Sequence, residues 1–419
     1  MRSAACLSSM VLMMMAVVSG CSAEETQPSP QARPVPEEVS HPSIARGINQ
    51  FALDLYGTVC ADDGSGNIFF SPLSISSALA MTYAGAGGQT ALEMNDVLHY
   101  GLSPENVGRA FQPFIEALGT GEETGGGSRE PFTLSIANGL WVQEGFQLLE
   151  DYRRQVALYF DAALENLDFQ GDPEGSRRTI NDWVADKTMD RILDLIPPGI
   201  LGPDTRVVLT NAVYFKASWD KPFEEALTSE GRFLVADGST VEVPMMRQTE
   251  FFDYVSTEGC SAVELLYSGG GASMLILLPD GDIDVFQQDL DADVLETIRN
   301  RMSRVNLFIT MPKFEFAGTM QLGGVLGSMG METAFGGGAD FSGFTGSPDL
   351  YISEVMHKAF VKVDESGTEA AAATAVVMNL TAMPEPPVEM NINRPFLFFI
   401  FDRETDAIIF MGRVMDPAV

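Results

Sequence analysis

Apolar side chains recur at helical spacing through Ile44, Ile48, Phe51 and Leu55, which predicts an amphipathic helix over 43–60. A continuous apolar run, Asn67-Ile68-Phe69-Phe70, reads as a short buried strand. Ser71 supplies an N-cap and Pro72 a first helical turn, so a second helix follows through Ala78-Leu79-Ala80-Met81 and stops at Gly85-Ala86-Gly87-Gly88. Helices with apolar stripes are expected at 176–189 and 285–299, and the Gly- and Glu-rich residues 119–128 form a loop. Strand-like runs fall at 132–137, 207–215, 273–278, 305–311, 351–355, 360–363, 396–401 and 407–411. Strands and helices do not alternate regularly and no segment repeats, so the fold class is α+β.

One stretch fits neither pattern. After the strand Ala359-Phe360-Val361-Lys362-Val363 comes Asp364-Glu365-Ser366-Gly367-Thr368-Glu369-Ala370-Ala371-Ala372-Ala373-Thr374-Ala375-Val376-Val377, and then the proline-rich Met383-Pro384-Glu385-Pro386-Pro387. Four alanines favour a helix, but the β-branched flank and the prolines oppose one. Read as a strand from Thr368, one face carries Thr368, Ala370, Ala372, Thr374, Val376 and Met378, without charge or proline; the only charge, Glu369, falls on the other face. Such a segment can enter a sheet with little steric or electrostatic resistance.

The ends and the charge narrow the setting. Arg2, the apolar run from Met10 to Val18 and Val18-Ser19-Gly20-Cys21 resemble a bacterial lipoprotein signal, so residues 1–20 are expected to be removed and Cys21 lipidated. Residues 21–42, with Pro28, Pro30, Pro34, Pro36 and Pro42, read as a disordered tether. The expected location is extracytoplasmic: a membrane-anchored lipoprotein at the periplasmic face or cell surface, or an extracellular protein. The formal net charge of −33 argues against nucleic acid, anionic membrane surfaces and glycosaminoglycans as partners. The membrane is then met only through Cys21, and the acidity reads as solubility. Cys60 and Cys260 remain in the domain and read as separate thiols.

Enzyme chemistry finds little support. Of three histidines, His41 lies in the tether, leaving His99 and His357. There is no Gly-x-Ser-x-Gly elbow, no Cys/His spacing for zinc and no phosphate loop. Asp280, Asp282 and Asp284 alternate after Leu278-Pro279, but they lack the EF-hand pattern and read as a solvated turn. Neither a metal nor a cofactor is expected.

Together, in order, a set of motifs resembles the serpin family over 44–417. They are Asn67-Ile68-Phe69-Phe70-Ser71-Pro72-Leu73-Ser74-Ile75, Ala137-Asn138-Gly139-Leu140-Trp141, Ile180-Asn181-Asp182-Trp183-Val184 and Leu209-Thr210-Asn211-Ala212-Val213-Tyr214-Phe215-Lys216. Trp219-Asp220-Lys221-Pro222-Phe223, Met311-Pro312-Lys313-Phe314, Phe335 with Ala339-Asp340-Phe341-Ser342-Gly343, the alanine-rich segment, Asn393-Arg394-Pro395-Phe396 and Gly412-Arg413-Val414 complete the set.

The resemblance implies a serpin domain over 43–419: three β-sheets, eight to nine helices and a reactive centre loop at about 365–391 above a metastable five-stranded sheet. It implies a monomeric inhibitor that a target protease attacks as a substrate. The loop then inserts as a new strand while still esterified, trapping the enzyme as a covalent acyl complex. Glu365, Gly367, Thr368, Glu369, Ala370, Ala371, Ala372 and Ala373 match the hinge. The count from Glu365 sets the reactive bond at Thr381–Ala382, with Leu380–Thr381 and Met378–Asn379 as alternatives. Ser71, Ser74, Asn211 and His357 match a buried polar cluster where the sheet parts, called the shutter, and Trp219 matches the tryptophan at the head of the opening, the breach. In many members the hinge glutamate pairs with a lysine ahead of the stretch that is Met331-Glu332-Thr333 here. The corresponding position is Gly323, which implies that the pair is missing. No Lys or Arg lies between Lys362 and Arg394. The implied target is therefore elastase-like, chymotrypsin-like or subtilisin-like rather than trypsin-like, whose pocket is acidic. The alternatives are a non-inhibitory binding or scaffold serpin and an inhibitor of papain-like cysteine proteases.

Overall fold

The computed structural model describes residues 41–62, 66–118, 132–368 and 386–419. Cys21, where a lipid is expected, the expected hinge residues from Glu369 to Ala373 and the candidate bond residues Met378, Leu380, Thr381 and Ala382 lie outside them.

The strands in chain order are β1 (Ile68–Phe70), β2 (Thr133–Gln143), β3 (Ala163–Leu167), β4 (Val207–Ser218), β5 (Ser229–Leu234), β6 (Thr240–Ser256), β7 (Cys260–Leu266) and β8 (Ala272–Pro279). They continue as β9 (Ser303–Pro312), β10 (Phe314–Gln321), β11 (Ile352–Asp364), β12 (Gly367–Thr368), β13 (Val388–Asn391), β14 (Phe396–Asp402) and β15 (Ile408–Val414). Nine join in one sheet, ordered β1-β15-β14-β8-β7-β6-β9-β13, with β5 beside β6. Six form the other, ordered β10-β11-β12-β4-β2-β3, in which β11 also pairs directly with β4. The expected three sheets thus appear as two, because the 17-residue β6 pairs with β5 through its first part and with β7 through its last, fusing two sheets into one. Ten α-helical segments are described, two of them four residues long, against the eight to nine expected.

The first helix is His41–Asp62, close to expectation. The second, Pro72–Tyr83, starts on Ser71, whose side chain accepts the Ser74 N–H, and every one of its residues is buried. A helix apolar or small on all faces belongs in a core; this one crosses between the two sheets. Around it Phe69 stacks on Phe398 and Phe410 at 5.8 and 5.2 Å. Helix Pro173–Lys187 and the chain after it cover the outer face of the six-stranded sheet, burying Ile180, Val184 and Leu195 with Trp141 of β2, Val208 and Ala212 of β4 and Met356 of β11.

Two expectations need correction. The runs 351–355 and 360–363 are one strand, β11, because Met356 and His357 between them are buried within the sheet. The helix expected over 285–299 is broken into Ile283–Phe286, a 3-10 turn at Gln287–Asp289 and Ala292–Asn300. Asp291 restarts it by accepting the Val294 N–H at 2.8 Å. The acidic turn before it serves as a cap: Asp282 accepts the Asp284 N–H, and Asp284 accepts from Gln287.

Candidate functional site

The six-stranded sheet is closed along most of its centre and parted at one end. From Ile352↔Val207 to Ala359↔Val213, β11 and β4 pair directly in parallel. Beyond that the chain turns at Glu365 and Ser366 and returns as β12, which pairs antiparallel with both neighbours: Val363↔Thr368 and Asp364↔Gly367 on one side, Gly367↔Ser218 and Thr368↔Ala217 on the other. Two residues are wedged into the head of a seam that remains zipped below them.

Residue chemistry explains the wedge. Gly367 has φ +151° and lies against β4, where a Cβ would overlap the Ala217 carbonyl oxygen and come within 2.7 Å of the Ser218 Cα, so only glycine passes. Thr368 is buried, and its hydroxyl lies 2.7 Å from that of Tyr267. The Tyr267 ring stacks on Trp219 at 4.5 Å. Trp219 also holds the turn at Glu365 and Ser366: its indole donates to the Asp364 carbonyl at 3.0 Å, and its backbone N–H donates to the Ser366 carbonyl at 2.9 Å.

Glu365 is buried at the turn, where its carboxylate accepts from Lys313 Nζ and from Thr228 Oγ1, each at 2.7 Å. Burial pushes this carboxyl upward, but the bonds from Lys313 and Thr228 outweigh it and hold the pKa below the ordinary value. The expectation that Glu365 lacks a lysine partner is therefore overturned. The partner is Lys313, just before β10, and Gly323 is not at this site; near it lies the Phe335 ring. Lys313→Ala is expected to cost on the order of 1–2 kcal/mol, since the carboxylate stays buried with its lysine gone and only Thr228 and its own backbone N–H left to serve it. Urea unfolding checks this. A loss equal to that of an exposed lysine would show that the pair carries nothing.

Halfway down the seam lies the polar cluster. His357 and Asn211 are register partners across β11 and β4, and Asn138 and Asn211 across β2 and β4, so three polar residues form one row through a buried sheet face. His357 Nε2 accepts the Ser71 N–H at 3.1 Å, which puts the ring proton on Nδ1, 2.6 Å from Asn211 Oδ1. Ser74 Oγ donates to the same oxygen at 2.7 Å, and Asn211 Nδ2 donates to the Ser74 carbonyl and to Asn138 Oδ1. Ser71 Oγ donates to the Ile409 carbonyl at 2.6 Å, tying the cluster to the other sheet. Among the described residues no charged group touches His357, and burial alone pushes its pKa down to about 3. His99 is elsewhere, half-exposed and 2.7 Å from Asp54. The structure thus brings together Ser71, Ser74, Asn211 and His357 as one group, and Glu365, Gly367, Thr368 and Trp219 as another.

Asn138, Tyr267, Thr228 and Lys313 are the participants the sequence reading missed. Asn138 and Lys313 stood inside quoted motifs without a role, whereas nothing local marks Tyr267 or Thr228.

A family model described as Serpin (serine protease inhibitor) matches residues 46–417. The chain belongs to the serpin family. A serpin-like protein of Thermococcus kodakarensis is 38% identical, covering 97% of this chain and 98% of that protein. Leukocyte elastase inhibitor A of Rattus norvegicus is 36% identical over 88% of this chain and 97% of its own length. Among solved structures, human thyroxine-binding globulin complexed with thyroxine superposes with TM-score 0.80 at 29% identity, covering 90% of this serpin and 99% of that chain. The parted sheet is therefore a serpin sheet, with Gly367 and Thr368 lying between the ends of β11 and β4.

Proposed function

We propose that this serpin inhibits serine endopeptidases by covalent trapping, with its cleaved loop driven into the six-stranded sheet. The observation that carries this reading is the seam itself: Gly367 and Thr368 already occupy the inserted register, and β11 and β4 below them pair with nothing between. One step along the loop answers one step back along each neighbour. In that register Thr374 would arrive opposite His357 and Asn211, and Met378 opposite Val207, the first residue of β4. Every loop residue on the core face from Thr368 to Met378 is uncharged, so each can be buried without the cost of an unpaired charge. Thr374 would bring a hydroxyl to the polar row, where an apolar residue would leave Nδ1 of His357 without an acceptor. Insertion of about 14–15 residues would carry an attached enzyme about 45–50 Å at ~3.3 Å per residue.

The reactive bond in this reading is Thr381–Ala382, and the target accepts a small or apolar residue in its primary pocket. The rat relative's name, leukocyte elastase inhibitor, is in keeping with such a target. We further propose that Cys21 carries a lipid that holds the inhibitor on the extracytoplasmic side of a membrane. A binding role is the second reading, favoured by the likeness to a thyroxine-bound globulin. Mixing with elastase, chymotrypsin, subtilisin and trypsin, followed by denaturing gels, separates the two. A complex stable to SDS with one of the first three, and none with trypsin, is expected. Clipped serpin beside fully active protease in every lane would leave only the binding role. Mass spectrometry of the released C-terminal peptide identifies the bond.

A further inference from the structure

The nine-stranded sheet forks. β6 and β7 pair from Ser256↔Ser261 to Asp253↔Glu264 and no further, while β6 runs on beside β9. The chain from Trp219 to Phe223 fills the fork. The Asp220 N–H donates to the Leu266 carbonyl of β7 at 2.9 Å, and Gln248 Nε2 of β6 donates to the Lys221 carbonyl at 3.3 Å. A narrow pocket of about 30 Å³ remains between them, walled by the buried Trp219, Phe223, Phe252 and Leu265, with the half-exposed Phe251 also on its lining. That is room for about two or three waters, the bulk of one small ring and far less than a folded partner needs.

The charges on the lining are unevenly matched. Asp253 and Glu264 stand directly opposite each other on neighbouring strands, so their side chains share a face. Like charges so placed repel. Arg304, the partner of Asp253 on the β9 side, is exposed and sets one cation against the two carboxylates. Lys221 is engaged elsewhere: its Nζ lies 2.9 Å from Glu250, donates to the Phe251 carbonyl at 3.1 Å and sits 5.5 Å from the centre of the Phe252 ring. The pocket thus joins aromatic walls to an excess of negative charge, and Lys221 shows that the Phe252 ring accepts an ammonium. The formal net charge of −33 biases the surrounding field toward cations as well.

We infer that the fork between β6 and β7 is a binding site for a small aromatic amine, with the ring among the apolar walls and the ammonium at Asp253 and Glu264. The ring would displace water from Trp219, Phe252 and Leu265, and the ammonium would relieve the repulsion across the two strands. A carboxylate in that place would meet two groups of its own sign, and a neutral ring would leave the repulsion as it is. The same strip of chain carries the turn at Glu365 and Ser366: the Phe223 N–H donates to the Glu365 carbonyl at 2.9 Å, as the Trp219 N–H does to the Ser366 carbonyl. An occupied pocket therefore braces from one side the strip that holds the turn from the other. The site stands whether or not the serpin traps a protease.

Two measurements on the full chain test this. Calorimetric titration at pH 7 compares benzylamine, benzyl alcohol and benzoate, which share a ring and differ in charge. Benzylamine is expected to bind about tenfold more tightly than benzyl alcohol, and benzoate not to bind. Asp253→Asn/Glu264→Gln is expected to erase the advantage of benzylamine over benzyl alcohol. Equal binding of all three compounds, or an advantage that survives in the double variant, would overturn the assignment of the ammonium; no binding by any of them would overturn the site. Amide hydrogen exchange of the wild-type protein then locates the ligand without any variant. Benzylamine is expected to slow exchange several-fold at the Trp219 and Phe223 amides and in the segments 251–253 and 264–266. Protection confined to another part of the molecule would place the amine elsewhere and remove the site. Protection at 251–253 and 264–266 without any at Trp219 and Phe223 would remove the brace.

Discussion

Thr368→Arg is expected to abolish the SDS-stable complex while leaving the loop cleavable, so that the serpin is consumed as a substrate. Thr368 is the first core-facing residue of the wedge, 1% exposed, opposite Val363 and Ala217, with its hydroxyl on Tyr267. A guanidinium there would have to enter a site walled by Val363, Ala217 and the fully buried Tyr267 ring. An unpaired buried charge costs several kcal/mol. Trapping is a race between strand insertion and hydrolysis of the acyl-enzyme, and each 1.36 kcal/mol added to the insertion barrier slows it about tenfold. The penalty therefore hands the race to hydrolysis by orders of magnitude. Thr368→Ser keeps the hydroxyl and is expected to inhibit normally. The outcome is read from the moles of inhibitor needed to silence one mole of protease, alongside the complex band. Full inhibition by Thr368→Arg would mean that residue 368 does not enter the sheet, and the insertion reading would fall with it.

The contrast between Thr368 and Glu365 shows what the chain makes legible and what it hides. The alternation of small uncharged residues from Thr368 onward is a local pattern, and it defines a face without charge or proline before any sheet is known. The partners of that face are not local. Tyr267 lies 101 residues from Thr368, and Thr228 lies 137 residues from Glu365. No spacing rule reaches across such separations. Lys313 was visible within Met311-Pro312-Lys313-Phe314, yet a count along the chain assigned its role to Gly323. Contact with the hinge turn depends on where β10 begins in space, beside the end of β11. Secondary structure failed for similar reasons. β6 carries Pro244 and mixed polar residues and escapes a two-residue pattern, because its two ends pair with different strands and change which face is covered. Strand β11 looked like two strands because a buried histidine interrupts its apolar run. That residue is buried because Asn211 and the Ser71 N–H satisfy it, which only the assembled fold supplies.

Acidification is expected to loosen the seam well above the pH at which most carboxylates titrate. His357 carries no proton charge in the fold, where burial sets its pKa at about 3. In the unfolded chain an ordinary histidine titrates near 6.5. Below about 6.5 the unfolded chain therefore binds a proton that the folded one refuses, and stability falls with pH until the folded value is reached. The slope approaches 1.36 kcal/mol per pH unit in that window, a loss on the order of several kcal/mol over its whole width. Glu365 works in the same direction lower down. Its folded pKa lies below the ordinary 4.5, so its contribution is complete above that value and is lost as the pH falls through the folded one. Protonating His357 also removes the Nε2 lone pair that accepts the Ser71 N–H, so the charge and the lost bond strike the same point on the seam. Urea midpoints of the intact protein at pH 7, 6, 5 and 4 are expected to decline across the series. His357→Asn is expected to be less stable at pH 7 and to show a flatter decline between pH 6.5 and 4.5, since the titrating group is gone. A variant that reproduces the wild-type slope would show that the acid sensitivity arises outside the seam. If His357 is the cause, then on the proposed trapping reading acid and the protease act on one structure: cleavage would supply the strand that parts β11 from β4, and a proton weakens the bond that joins them.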